Sequence, residues 1–541
     1  MAVDQTVEIE TYFGESRQRI SRETVLIAVI CCCLAILLRV VALGTKELFG
    51  DEFFALDYAT GDRPNLFREI FHGHLPLYYE ILRGWTKLFG ASHDWILRIP
   101  SALFGVAAWV AFFFYAFRYL RGLAFVIALV VFALNPTAVA VSNEASSFAL
   151  LTLWVVLSNY FCVRALDEGG RREWTLWAIA SVGGFLTHPF FWFLLLAQFV
   201  FGLLRPRKTP RGFIILSATG IFLIIAALVG GVLYAQFRMV GVRPDAPSLA
   251  DLARGLVAMT LGNFPRYAYG DRVFVRSLLY LLVLTALVFS WIYYRKREAE
   301  AEALPENVVW VDETQDVVGK WTRLSLASFL MYQWVTFVVP AFCIMCVGGF
   351  ASGMYLRPEY FLVCLPSVTI LVAAGIDGAP GRVGTIALSV LFVIIMSYYN
   401  LAALTDTGYG VKKAFRKMAS KTFSPAEDVF LVVVPSGLER SLQRYNPGIP
   451  TEMIHSRDLT QPDQINGLLE RLVEKRERVF VLYHDDFRRI GKSDRSLVRE
   501  WFGLRKNIFE TDDKWTLSPP EKTELRIYKR IDPTKSPPKD E

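Results

Sequence analysis

FGDEFFALDYA, residues 49–59, follows directly on the first strongly apolar stretch of the chain, and HGHLPLYYEILRGW follows it at residues 72–85. An acidic pair, Asp51-Glu52, thus stands just beyond an apolar segment long enough to cross a bilayer. Adjacent carboxylates project in different directions and can divide labour, one accepting a proton while the other positions a second reactant or a cation. The alternative reading is structural: Asp51 is a suitable N-cap for a helix beginning at FFALDYA. Two of the chain's 6 His, His72 and His74, flank one short loop about twenty residues on, and Pro76 suits the first turn of a helix through LPLYYEILRGW. The H-x-H spacing without cysteine is a weak metal signal.

Composition places this pair in a polytopic membrane protein. Of 541 residues, 53% are hydrophobic and 41 are Phe, more than a soluble core needs. Apolar segments run approximately over 24–43, 97–117, 122–134, 137–163, 174–187, 190–204, 212–235, 277–294, 325–347, 359–376 and 383–404. The pair around His188-Pro189 could also be read as one helix kinked by its proline. Cations decide for eleven spans: Arg17, Arg19 and Arg22, then Arg118 and Arg121, Arg164, Arg171 and Arg172, Arg205, Arg207, Lys208 and Arg211, and Arg295, Lys296 and Arg297 all fall on one side at that count. The amino terminus is then cytoplasmic, and the acidic loop, residues 236–276 and everything after 404 face outward. Arg238, Arg243, Arg254, Arg266, Arg272 and Arg276 in the 236–276 loop run against this rule.

The expected fold is therefore an all-α polytopic membrane domain of eleven helices with a small C-terminal α/β soluble domain. Its parts are a cytoplasmic segment 1–23, a membrane domain 24–404 with the outward loop 45–96, an extracytoplasmic α/β domain 405–531 and a disordered, charged, Pro-rich tail 532–541. In the soluble part GYGVKKAFRKMASK and QPDQINGLLERLVEKRE read as helices, and EDVFLVVVP and RVFVLYHDD as buried strands. The trio His484, Asp485 and Asp486 is read as a polar strand-exit loop. Net charge is +7, but the cations sit in short loops and form no stripe, which argues against nucleic acid. The 7 Cys all fall within apolar segments and read as packing residues.

The ordered motifs over residues 45–365 resemble the C-type (GT-C) integral membrane glycosyltransferases, the superfamily of the dolichyl-phosphate-mannose protein mannosyltransferases and the bacterial lipid A aminoarabinose transferase. The resemblance is carried by Asp51-Glu52, His74-Leu75-Pro76-Leu77-Tyr78-Tyr79, Trp85, Leu88-Phe89-Gly90 and Arg98. It continues in Asn135-Pro136, Ser142-Asn143-Glu144-Ala145 and Tyr355-Leu356-Arg357-Pro358-Glu359-Tyr360. Departures are Leu75-Pro76 where two prolines are common, Ser146 and Phe148 where an arginine and a tyrosine are frequent, and Gly50 where an aromatic is usual.

The resemblance implies inverting transfer of a hexosyl or pentosyl group from a polyprenyl-phosphate sugar to a lipid, glycan or protein acceptor at the extracytoplasmic face of a bacterial inner or plasma membrane. It implies Asp51 as base, Glu52 and Glu144 for acceptor positioning or a divalent cation, and Lys46, His74 and Arg357 for the phosphate. Tyr78 and Tyr355 join as substrate-binding residues, with Arg266, Tyr267 and Tyr269 on the acceptor side. Metal dependence stays open, with Glu52, His74 and Glu144 as candidate ligands. Two other classes compete: a flippase or transporter of lipid-linked sugars, which predicts intramembrane charges and an internal repeat, and a non-catalytic assembly protein.

Overall fold

The computed structural model describes residues 22–48, 51–61, 75–120, 122–204, 286–292, 326–350, 358–379, 381–405 and 411–420, Gly220, residues 423–424 and segments between 427 and 531. The chain divides into two compact units. One comprises Met1–Leu43, Ala55–Pro265 and Gly270–Leu404; the other includes Gly44–Phe54 and Thr405–Glu541.

The first unit is helical. Its described helices are α1 (Arg22–Val40), α2 (Asp51–Thr60), whose first turn lies in the other unit, α3 (Pro76–Phe89), α4 (Asp94–Tyr119), α5 (Gly122–Ala133), α6 (Pro136–Ser142), α7 (Phe148–Glu168), α8 (Arg171–Phe185), α9 (Phe191–Leu204), α10 (Leu326–Phe350), α11 (Leu365–Asp377) and α12 (Arg382–Thr405). A 3-10 turn, Pro358–Cys364, leads into α11. Among the described residues four spans are long and apolar enough to cross a membrane, or five if α5 and α6, bent by 43°, count as one. Shorter apolar helices cover Val25–Val40, Phe191–Leu204 and Ser328–Ile344. The expected span at 212–235 and most of that at 277–294 lie outside the described residues.

Two sequence expectations change in detail. The span expected at 137–163 is broken: α6 ends at Ser142 and α7 begins at Phe148. The break falls on the polar stretch SNEASS, residues 142–147. There Ser142 Oγ donates to the Ala138 carbonyl at 2.6 Å and Asn143 Nδ2 to the Val139 carbonyl at 3.0 Å, side-chain bonds to the last turn of α6. The second change is at the acidic pair: α2 begins at Asp51, which with Glu52 forms the first turn, where acidic groups suit the helix dipole. Around His188-Pro189 the chain forms two helices, α8 and α9, joined by a turn.

Between the helix ends lies a buried, uncharged polar network. Gln198 of α9 accepts from Trp177 Nε1 of α8 at 2.8 Å and donates to the Tyr332 hydroxyl of α10 and Ser158 of α7, each at 3.1 Å, while Tyr332 donates to Asn159 at 2.6 Å. Water is absent from a bilayer core, so such groups must satisfy one another, and the bonds tie four helices together.

The second unit contains β1 (Asp428–Val434), β2 (Thr451–His455), β3 (Arg478–Tyr483), β4 (Phe509–Ser518) and β5 (Thr523–Arg530), in the order β2-β1-β3-β5-β4. The first three are mutually parallel, and β3-β5-β4 is antiparallel. Helices α13 (Val411–Ser420) and α14 (Pro462–Val473) supply apolar residues to opposite faces: Ala414, Phe415 and Met418 pack with Phe430 and Phe480, and Leu469 and Val473 with Leu431 and Val481. Successive strand residues thus feed alternate cores. β1 and β3 fall where the sequence places them, and a bidentate pair locks their first residues: Arg478 Nε and Nη2 donate to Asp428 at 2.9 and 2.7 Å. That hydrogen-bonded carboxylate raises the Arg478 guanidinium above its ordinary value. His484, Asp485 and Asp486 lie outside the described residues.

Replacing Gln198 by Leu leaves Trp177 Nε1 without its acceptor and removes one of Tyr332's partners. The expected cost is about 1–2 kcal/mol, read as a lowered thermal midpoint in detergent; an unchanged midpoint would show that the network contributes no net stability.

Candidate functional site

Four helix ends converge at one end of the first unit: the last turns of α1 and α5 and the first turns of α4 and α7. The contacts that bring them together are polar. Arg98, fully buried in the first turns of α4, donates to the Leu43 carbonyl just after α1 at 2.9 Å. Arg39, in the last turn of α1 and 1% exposed, donates from Nη1 to the carbonyls of Ala35 at 3.0 Å and of Ala133, the last residue of α5, at 3.4 Å. Buried cations at helix C-termini complement carbonyls that have no helical partner.

The α5–α6 corner is built from the same material. Asn135 caps α6 by accepting from the Ala138 N–H at 2.9 Å, with Pro136 in the first turn. Asn400 of α12 donates to the Leu134 carbonyl at 2.7 Å, and Asn143 to the Leu38 carbonyl at 3.1 Å. Ser101 of α4 lies 2.8 Å from the Tyr78 hydroxyl of α3 and donates to the Ser146 carbonyl at 3.3 Å. The Ser146 N–H in turn donates to the Glu144 carbonyl at 2.8 Å. Buried Ser142, Asn143, Ser146, Ser147, Thr187 and His188 complete a polar shell.

Aromatic rings close the adjoining side. His188, in the turn between α8 and α9, lies 4.9 Å by ring centroids from Phe148 and 6.3 Å from Tyr360, and its Nδ1 accepts from the Phe190 N–H at 3.2 Å. Because Nδ1 accepts, Nε2 carries the proton of the neutral ring. Phe148 in the first turn of α7, just after the Ser142–Ala145 motif, and Tyr360, the last residue of the Tyr355–Tyr360 motif, therefore both lie against His188.

Of the residues read from sequence, Tyr78 is buried and linked through Ser101 to the Glu144 loop, and Glu144 is half-buried. Tyr79, its neighbour, packs tilted against Tyr58 of α2 with ring centroids 5.3 Å apart, and the Tyr58 hydroxyl donates to Glu80 at 3.0 Å. Lys46, Asp51 and Glu52 belong to the second unit, where the Leu48 N–H donates to the Tyr445 hydroxyl at 2.8 Å. Lys46 and Asp51 are half-buried and Glu52 is 1% exposed, so the two acidic neighbours have different surroundings. His72, His74, Tyr355, Arg357, Arg266, Tyr267 and Tyr269 lie outside the described residues. Among the described residues no three His, Cys, Asp or Glu side chains gather as a metal set.

Sequence reading missed Arg39, whose only signal is an arginine in the last turn of an apolar helix, where a snorkelling side chain is the ordinary reading. His188 entered that reading only as a kink.

The Tyr78–Ser101 contact yields a direct test. Tyr78→Phe and Ser101→Ala each leave the other hydroxyl short of a buried partner, at about 1–3 kcal/mol apiece, while the double variant costs less than their sum. Strict additivity of the denaturation midpoints would mean that the two groups do not interact.

Residues 73–230 match the family described as dolichyl-phosphate-mannose-protein mannosyltransferase. No curated protein matches the sequence significantly. Among solved structures the chain is similar to ArnT from Cupriavidus metallidurans in its apo state, with 12% identity over 94% of this chain and 98% of that one and a TM-score of 0.47. It is also similar to the Archaeoglobus fulgidus oligosaccharyltransferase, with 12% identity, 84% and 68% coverage and a TM-score of 0.45. A third is the arabinofuranosyltransferase AftD from Mycobacteria, with 15% identity, 94% and 42% coverage and a TM-score of 0.40. At such scores and identities, likeness of outline implies neither a shared substrate nor a shared mechanism. The family match, which takes in Tyr78, Arg98, Asn135 and Glu144, agrees with the motifs read from the sequence: this chain resembles the C-type integral membrane glycosyltransferases.

Proposed function

We propose that the protein is an inverting glycosyltransferase that moves a sugar from a polyprenyl-phosphate donor to a lipid, glycan or protein hydroxyl at the extracytoplasmic face of a bacterial inner or plasma membrane. The observation that carries the reading is the family match over residues 73–230, directly downstream of an acidic pair in the first turn of a helix. The name of that family supports a lipid-phosphate sugar as donor.

The chemistry asks little of the protein beyond a base, cations and a held geometry. The acceptor oxygen forms a bond to the anomeric carbon from the face opposite the phosphate. The bond from that carbon to the phosphate oxygen breaks, and the lipid phosphate leaves with the electron pair. The hydroxyl proton passes to the Asp51 carboxylate, a half-buried group. Glu52, buried beside it, and Glu144, fixed by its backbone, orient the acceptor. Lys46, His74 and Arg357 offset the charge that develops on the phosphate, arginine through two parallel hydrogen bonds. Tyr78 and Tyr355 act in substrate binding.

The proposed orientation is supported at the far end of the bundle. There Arg118 pairs with Glu168 and Asp167, and Arg164 pairs with Glu168 at 2.8 Å and Glu173 at 3.2 Å. Together with Arg171 and Arg172 these gather cations at the end opposite the polar site, as a cytoplasmic face requires.

The test is transfer of radiolabelled sugar from a short-chain polyprenyl-phosphate donor to membrane extract. Asp51→Asn should bind donor as wild type does yet lose transfer by about a hundredfold or more, and a chelator lane decides metal dependence. Absence of transfer by folded wild type from every donor tried would favour a flippase or an assembly protein.

A further inference from the structure

Arg39 is a buried cation that ties α1 to one corner of the fold. Its Nη1 holds the Ala133 carbonyl, where α5 ends and the turn into α6 begins. The residue before it, Leu38, offers its carbonyl to Asn143, where α6 ends. Residues 38 and 39 thus grip both ends of the segment 133–143, and Glu144 is the next residue along the chain.

The grip is closed from the α4 side. A Cβ at Gly105 would overlap Ser142 Oγ and stand 3.0 Å from Arg39 Nε, so α4 presents a glycine where the arginine, the α6 serine and its own backbone crowd together. On the far side of Glu144, Ser101 holds the Ser146 carbonyl. The Glu144 backbone is therefore pinned by α1 behind it and by α4 ahead of it.

What makes Arg39 more than packing is its charge. It is 1% exposed, no ion pair to it is formed among the described residues, and its Nε has no hydrogen-bond partner there. A buried cation without a carboxylate is costly, and in a membrane helix it marks a functional role by default. The C-terminus of α5 supplies a compensating negative end here: Nη1 of the guanidinium donates to the Ala133 carbonyl and to the Ala35 carbonyl of its own helix.

We propose that Arg39 is a positioning residue for Glu144: it fixes the α5–α6 corner and so sets where the Glu144 carboxylate stands relative to the acceptor. This rests on the glycosyltransferase reading, yet its structural half is measurable without any activity. Hydrogen exchange of the full-length protein in detergent should show residues 134–147 exchanging about tenfold or more faster in Arg39→Met, as expected when a buried grip opens locally, with α8 and α9 unchanged. Arg39→Lys should fall between, and it decides the matter alone if Arg39→Met does not fold.

In the transfer assay Arg39→Met should lower kcat about tenfold or more with the donor KM nearly unchanged, because a displaced group costs rate before it costs binding. In a Glu144→Ala background the same substitution should cost nothing further. Wild-type exchange at 134–147 in both Arg39 variants, or a full additional loss in the Glu144→Ala background, would overturn the proposal. An inactive wild type would sink the glycosyltransferase reading while leaving the exchange result to stand or fall by itself.

Discussion

A helix that ends inside a protein leaves its last carbonyls without partners, and in a membrane there is little water to take them. That constraint organises the described end of the bundle. α1 and α5 both finish there, and their terminal carbonyls are taken by Arg39, Asn143 and Asn400, side chains drawn from α1, α6 and α12. Each satisfies a backbone group and in doing so fixes the path of the next loop. The capping groups are therefore also the scaffold of the Glu144 turn, and stability and site geometry come from the same bonds.

Much of this fold is legible in the sequence because the periodic part of the problem is simple. Runs such as RETVLIAVICCCLAILLRV and FALLTLWVVLSNYFCVRALDE announce helices by length and apolarity, and DVFLVVV and RVFVLY announce buried strands. What is less legible is how an apolar run is divided. The polar stretch 142–147 interrupts 137–163, and the fold ends α6 at Ser142 and begins α7 at Phe148 on either side of it. Likewise the grouping of Gly44–Phe54 with the C-terminal unit has no local signal, since the Leu48 N–H meets a hydroxyl nearly four hundred residues away, at Tyr445.

The candidate site divides in the same way. The residue types are visible, because an acidic pair after a span and a proline-led helix through Tyr78 are unusual enough to be noticed. Their connections are not. That Tyr78 reaches the Glu144 turn through Ser101, and that Phe148 and Tyr360, from two separate stretches of sequence, both lie against His188, depends on how the helices pack. Spacing along the chain carries no trace of such packing. Arg39 is the sharpest case, since the ordinary reading of an arginine at a helix end sends it to the surface, and here it is buried.

Polar chemistry is sorted by position along the helices, and the sorting says where a reaction could be run. Between the ends the buried polar groups are neutral: amides, hydroxyls and an indole around Gln198. Among the described residues, Arg39 and Arg98 stand at one end and the Arg118, Arg164, Glu168 and Glu173 cluster at the other. The two ends are not equivalent. At the second, Arg118 and Arg164 face carboxylates, so their charges are spent on one another. At the first, Arg39 is answered by carbonyls, which keep a side chain in place without neutralising it. A group that stabilises charge appearing during a reaction is best held but not already matched, and Arg39, answered by carbonyls, meets that description.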